Sequence, residues 1–181
     1  MKETDNMELY QYIYEDCKAA FLDEWRRKQS LENAVRLYFS FYSLFLGLGL
    51  FKIDKFYTLL LTFLGIQNFF MYFLTFIIYL TLIYCEFRGL WITVKAMKMG
   101  RYRTFPKPSQ LIERMTNKNS IIYLKSLSQD FAKSQIYNEK VNDKRADLLN
   151  ESYKFLECLI IFSTIFFLSI FFVLIKEGKL W

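Results

Sequence analysis

The chain has 181 residues, a formal net charge of +6, 20% aromatic residues and no histidine. One compact unit is the expectation at this length. The missing histidine excludes the commonest general base, the commonest metal ligand, the usual pH sensor and the Ser–His and Cys–His nucleophile pairs. Mean hydropathy is only +0.12, because three apolar blocks alternate with charged ones.

Residues 1–36 carry six Lys/Arg and eight Asp/Glu and hold no apolar signal-peptide core. From Met7 to Arg27 the pattern predicts a helix, with Asp5 or Asn6 as its cap. Leu9, Tyr12, Ile13, Ala20 and Phe21 are expected on one face, with Tyr10, Tyr14 and Trp25 nearby. Its acidic start does not suit a membrane-surface helix, so packing against another cytoplasmic helix is expected.

Residues 37–51 are uncharged. With Ala34, Val35 and a snorkelling Arg36, about eighteen residues can span a bilayer. Gly47 and Gly49 either permit close helix contact or merely loosen the helix before a turn. The turn would be Lys52-Ile53-Asp54-Lys55, the one charged break before the longest apolar run, residues 56–85.

That run has thirty residues without a charge. As a helix it would reach about 45 Å, against a hydrocarbon core of about 30 Å. Gly65, Gln67 and Asn68 divide it into an interfacial or re-entrant piece, 56–64, and a crossing from Phe69 to Cys85. Gln67 and Asn68 are expected first to reach headgroups, with lining a pore and bonding between protomers as the alternatives. The helix should continue past Cys85 through Glu86, Arg88 and Trp91 to about Met99, where Gly100, Pro106 and Pro108 end it. Lys95, Lys98, Arg101 and Arg103 make this a basic juxtamembrane segment, and anionic lipid headgroups are a simpler partner for it than nucleic acid.

Ser109 can cap a short helix and Ser120 a long one, since no Gly or Pro lies between Ser120 and Gly178. Residues 158–175 are uncharged and read as a third crossing. Leu124, Leu127, Phe131, Val141, Leu148, Phe155, Leu159 and Phe162 form a coiled-coil-like seam, broken at Ser134, Asn138, Arg145 and Ser152. Asn138, Asn142 and Arg145 share a face at i, i+4, i+7. They suit an anionic ligand such as a nucleotide, but a solvated face of paired charges, with Asp143, Asp147 and Glu151, is the readier expectation.

The whole reads as an all-α polytopic membrane protein of about three transmembrane helices, the last continuous from cytoplasm into membrane. Its parts are a cytoplasmic helix (1–33), a transmembrane hairpin (34–88), a basic cytoplasmic region (89–157) and a third span (158–176). Segment 86–157 carries fourteen Lys/Arg against eight Asp/Glu, so the positive-inside rule puts it and the N-terminus in the cytoplasm and the C-terminus outside. Cys17, Cys85 and Cys158 form no close pair and are expected to be reduced. Cys85 and Cys158 read as small apolar residues at a membrane boundary, with palmitoylation the alternative. No zinc spacing or phosphate-cradling loop is present, and no catalytic group, metal or cofactor is expected.

The pattern of an N-terminal helix, two close spans joined by Lys52-Ile53-Asp54-Lys55, a basic helical region, and Asn142-Asp143-Lys144-Arg145-Ala146-Asp147-Leu148-Leu149 leading into a last span resembles small membrane effectors of bacterial antiphage systems. These are the SLATT and Pycsar transmembrane groups, and the chain is similar also to membrane accessory proteins found beside RNA-targeting CRISPR nucleases. The third span departs from the two-span SLATT plan, and the missing histidine departs from any accessory of the HEPN ribonuclease type. The resemblance implies an oligomeric inner-membrane protein that breaches or depolarises the membrane on an infection signal. It implies as partners the bilayer, further copies of itself, and a nucleotide second messenger or a CRISPR or other defence protein. A non-conducting scaffold that recruits a soluble protein or nucleic acid through its cytoplasmic helices is the alternative.

Overall fold

A computed structural model of the chain describes residues 2–51, 69–100, 102–104 and 120–176. Among these residues every regular element is a helix: α1 (Lys2–Phe51), α2 (Phe69–Met97) and α3 (Ser120–Lys176). The 52–55 turn, the 56–64 piece, Gln67, Asn68, Arg101 and the short helix after Ser109 lie outside the described residues.

The expected N-terminal helix and first apolar block are one element. α1 runs for 50 residues, because neither Gly nor Pro interrupts it before Gly47. α2 continues past Cys85 as expected and stops at Met97. Lys98 N–H still reaches the Val94 carbonyl, and Gly100 then takes a positive φ of 23° that side-chain-bearing residues rarely adopt. α3 starts at Ser120, the expected cap, and runs for 57 residues.

The chain divides into two compact units. Unit 1 is Met1–Asn33 with Met99–Ala146, and unit 2 is Ala34–Lys98 with Asp147–Trp181. In unit 1 the apolar core is Phe21, Leu127 and Phe131, with Tyr14, Cys17, Trp25 and Tyr123 packed against it. The Phe21 and Phe131 rings meet edge to face at 5.5 Å, as do those of Tyr14 and Phe131 at 5.7 Å. α1 thus packs on a helix, as its sequence suggested, but through the stripe Tyr14, Cys17, Phe21 and Trp25. Leu9, Tyr12 and Ile13 stay exposed. In unit 2 the core is Tyr42, Cys85, Leu156 and Leu159, flanked by Tyr38, Phe45, Leu82, Leu90 and Phe155. All three cysteines are free thiols, and only Cys158 is exposed.

The seam of α3 differs from its apolar reading by one residue. Buried positions run Leu127, Phe131, Asn138, Asn142, Arg145, Leu149, Ser152, Leu156 and Leu159, a strict alternation of three and four from Asn138 onward. Val141, Leu148, Phe155 and Phe162 are only partly buried. Three of the four residues that looked like breaks, Asn138, Arg145 and Ser152, belong to the seam, and Ser134 does not. Expectation followed hydrophobicity, whereas burial here follows hydrogen bonds that the buried groups find across the helices.

One described stretch, Phe76–Met97 in α2, is long and apolar enough to cross a membrane, and a third of it is buried in the protein.

Candidate functional site

The most polar interior lies in unit 1, where α1, α3 and the linker 99–104 meet. Asn138, Asn142 and Arg145 are 1%, 0% and 3% exposed, so the solvated-face expectation does not hold for them. The cluster divides by face: Asp143, Lys144 and Asp147 remain on the exposed side.

Each buried group has a defined job. The Asn138 carboxamide pairs with both main-chain groups of Arg103: its Oδ1 accepts from the Arg103 N–H at 3.0 Å, and its Nδ2 donates to the Arg103 carbonyl at 3.2 Å. Asn142 Oδ1 accepts a hydrogen bond from the Tyr102 hydroxyl. Its Nδ2 donates to Glu24 of α1 twice, at 2.6 Å to the carboxylate and 3.1 Å to the main-chain oxygen. Arg145 donates through Nη2 to the Met99 carbonyl at 3.1 Å and through Nη1 to Glu32 at 3.4 Å. Arg145 Nε is buried without a hydrogen-bond partner among the described residues.

Cations crowd the same place. The Tyr102 ring has Lys28 Nζ at 4.6 Å and the Arg145 guanidinium at 5.2 Å from its centroid, and Lys28 also sits 4.0 Å from the Trp25 ring. Burial raises the Tyr102 pKa, and Arg145 opposes that shift only in part. At the rim, Arg27 bonds Asp143 at 2.7 Å, which raises the arginine's already high pKa.

Of the expected lipid contacts, Lys95 and Lys98 are exposed. Lys95 lies 5.9 Å from the ring of Trp91, itself exposed. Arg103 is exposed too, and its guanidinium stacks on Tyr137 at 4.8 Å while Asn138 holds its backbone. Among the described residues no group of three or more acidic, Cys or His side chains is placed to hold a metal.

Unit 2 has a smaller polar node that sequence reasoning missed. The Tyr42 hydroxyl donates to the Ser152 carbonyl at 2.6 Å. Thr93 Oγ1 donates to the Gly89 carbonyl at 2.9 Å and lies 2.8 Å from Ser152 Oγ. Gly89 is needed because the Tyr42 ring lies directly on it: a Cβ there would overlap the tyrosine's Oη and Cζ. A signal was available in Cys85, Gly89 and Thr93, small residues four apart on α2. The glycine that drew attention instead, Gly47, has nothing within 4 Å of where its Cβ would stand.

Unit 2 also exposes large apolar side chains on all three helices. Phe41 and Leu44 on α1, Phe76 and Leu80 on α2, and Ile161 and Phe167 on α3 are each 41% to 64% exposed. No protein-family model, curated protein or solved structure matches the chain.

Proposed function

We propose that the protein is held in a bilayer by the helical segments of unit 2, and that it acts as an oligomeric inner-membrane effector forming a pore or channel in antiviral defence. The observation that carries the membrane part is the inverted dress of unit 2. Phe, Leu and Ile face outward on three helices, while Tyr42, Thr93 and Ser152 turn their polar atoms inward. A water-soluble monomer rarely leaves large contiguous apolar surface uncovered. Three crossings are proposed: the apolar end of α1, α2, and the apolar end of α3. The charge bias supports an orientation with unit 1 in the cytoplasm and the C-terminus outside.

Support for the pore comes from the likeness to antiphage membrane effectors. Unit 1 then acts as the control element, and Asn138, Asn142 and Arg145 are its gating or ligand contacts. Lys95, Lys98, Arg101 and Arg103 meet anionic headgroups. A nucleotide second messenger or a defence protein supplies the signal, and subunits assemble around the path, with Gln67 and Asn68 along it or between protomers.

Carbonate extraction and a potential-sensitive dye in expressing bacteria test the two halves separately. Retention in the extracted membrane with loss of potential is expected. Release by carbonate overturns the embedding, and unchanged potential under every activating condition overturns the pore.

One observation favours the scaffold instead. Leu9, Tyr12 and Ile13 line up at i, i+3, i+4 on α1 and are exposed. That apolar strip suits a soluble protein partner, which a pull-down with and without nuclease would separate from nucleic acid.

A further inference from the structure

Among the described residues of the linker, Met99, Tyr102 and Arg103 are each bonded to side chains of α3. The Met99 carbonyl, the Arg103 N–H and the Arg103 carbonyl all bond to α3, through Arg145 and Asn138. The Tyr102 hydroxyl bonds to Asn142. Three residues on one face of one helix thus grip the segment at four atoms. Two of the three, Asn142 and Arg145, also hold Glu24 and Glu32 of α1.

A seam that only had to pack would use Leu at these positions, as α3 does at Leu149, Leu156 and Leu159. Amides and a guanidinium cost desolvation that Leu does not, and here one guanidinium N–H is buried without a partner among the described residues. What they add is discreteness. If the linker leaves, Asn138 loses both its bonds, Asn142 loses an acceptor's partner and Arg145 loses one of two. Buried amides do not stay unpaired, so α3 must then turn or shift against α1.

We infer that 99–104 is a latch. Its seating on Asn138, Asn142 and Arg145 holds α1 and α3 of unit 1 in one arrangement, and its release frees both helices together. The latch stands apart from whether the protein conducts.

Hydrogen–deuterium exchange on the full-length protein in lipid nanodiscs tests it, with Asn138→Leu as the variant. Leu fills a similar volume and can pair with neither group of Arg103. Exchange of peptides covering 99–104 should rise about thirtyfold, the scale of two lost hydrogen bonds. Peptides around Glu24 and Glu32 of α1 should rise with them, while α2 stays unchanged. A rise confined to 99–104 makes the segment a local tether and overturns the latch, as does no rise at all. Should Asn138→Leu fail to fold, Tyr102→Phe removes only the hydroxyl on Asn142. The same coupled pattern at smaller amplitude is expected, and its absence overturns the inference equally. Because exchange is read without any conductance, a negative dye assay leaves this result standing.

Discussion

Replacing Gly89 with alanine probes the tightest contact in unit 2. The new methyl would overlap the Tyr42 hydroxyl and ring. Carbon contacts settle near 3.5–4.0 Å, so the ring must withdraw by roughly 1 Å or more. Tyr42 is completely buried, so it has nowhere free to go. Withdrawal breaks its 2.6 Å bond to the Ser152 carbonyl. An unsatisfied buried hydroxyl costs about 1–3 kcal/mol, and overpacking adds about 1–3 kcal/mol. Against this, alanine gains about 1 kcal/mol over glycine in helix propensity. The net loss is about 3 kcal/mol, or roughly 6–12 °C at this chain length. Gly47→Ala is the internal control: its Cβ meets nothing, so only the propensity gain remains. The assay heats the purified protein in one detergent and follows the surviving monodisperse fraction by size exclusion. Gly89→Ala should melt well below the parent and Gly47→Ala at or above it. Adding Tyr42→Leu to Gly89→Ala should recover part of the loss by removing the ring. Equal shifts for the two glycines would refute the reasoning.

Three more outcomes are expected. Arg145→Ala should destabilise the chain by about 2–3 kcal/mol in urea unfolding, and Arg145→Met by less than half of that, because an apolar chain of similar length fills the site without a charge to desolvate. Tyr102 keeps its proton longer in the folded chain than in the unfolded one, because burial raises its pKa above the usual value of about 10. The folded state therefore binds more protons above that pH, and the stability Tyr102 adds is complete below pH 10 and is lost as pH rises through its folded value. The melting difference between the parent and Tyr102→Phe should stay constant below pH 10 and shrink as pH rises above it. In a Trp181→Phe background, which leaves two of the three tryptophans, emission in vesicles containing brominated lipid should be quenched chiefly through the exposed Trp91 and little through Trp25, which packs in unit 1. Loss of quenching in Trp91→Phe checks this, and undiminished quenching would count against lipid contact there.

Two helix ends were legible because they are written locally, but the start of α1 was not: the helix runs from Lys2 through Asp5 and Asn6, the expected caps. Gly100 stops α2 and Ser120 opens α3 by rules that involve only a few residues. The unbroken α1 was equally available, since nothing between Arg27 and Leu37 disfavours a helix. The site was half legible. The i, i+4, i+7 face of Asn138, Asn142 and Arg145 is visible in the sequence, but its burial is not. Burial depends on Arg103 and Glu24 arriving from 35 and 118 residues away. Gly89 against Tyr42 is hidden for the same reason: its requirement arises only where a second helix brings an aromatic ring onto the first. Hydrophobicity predicts which residues leave water, and it fails where a polar group leaves water with its partner already in place.

The polar seam of α3 also sets a ruler. Leucines packed on leucines let one helix slide a turn past another and find similar neighbours. Carboxamides aimed at single acceptors do not: a slip of one turn, about 5.4 Å, would strand Asn138, Asn142 and Arg145 together. Within unit 1 the helices therefore have a single axial register rather than a graded series. A displaced α3 keeps none of these bonds, so the helices of unit 1 are either in that register or released from it.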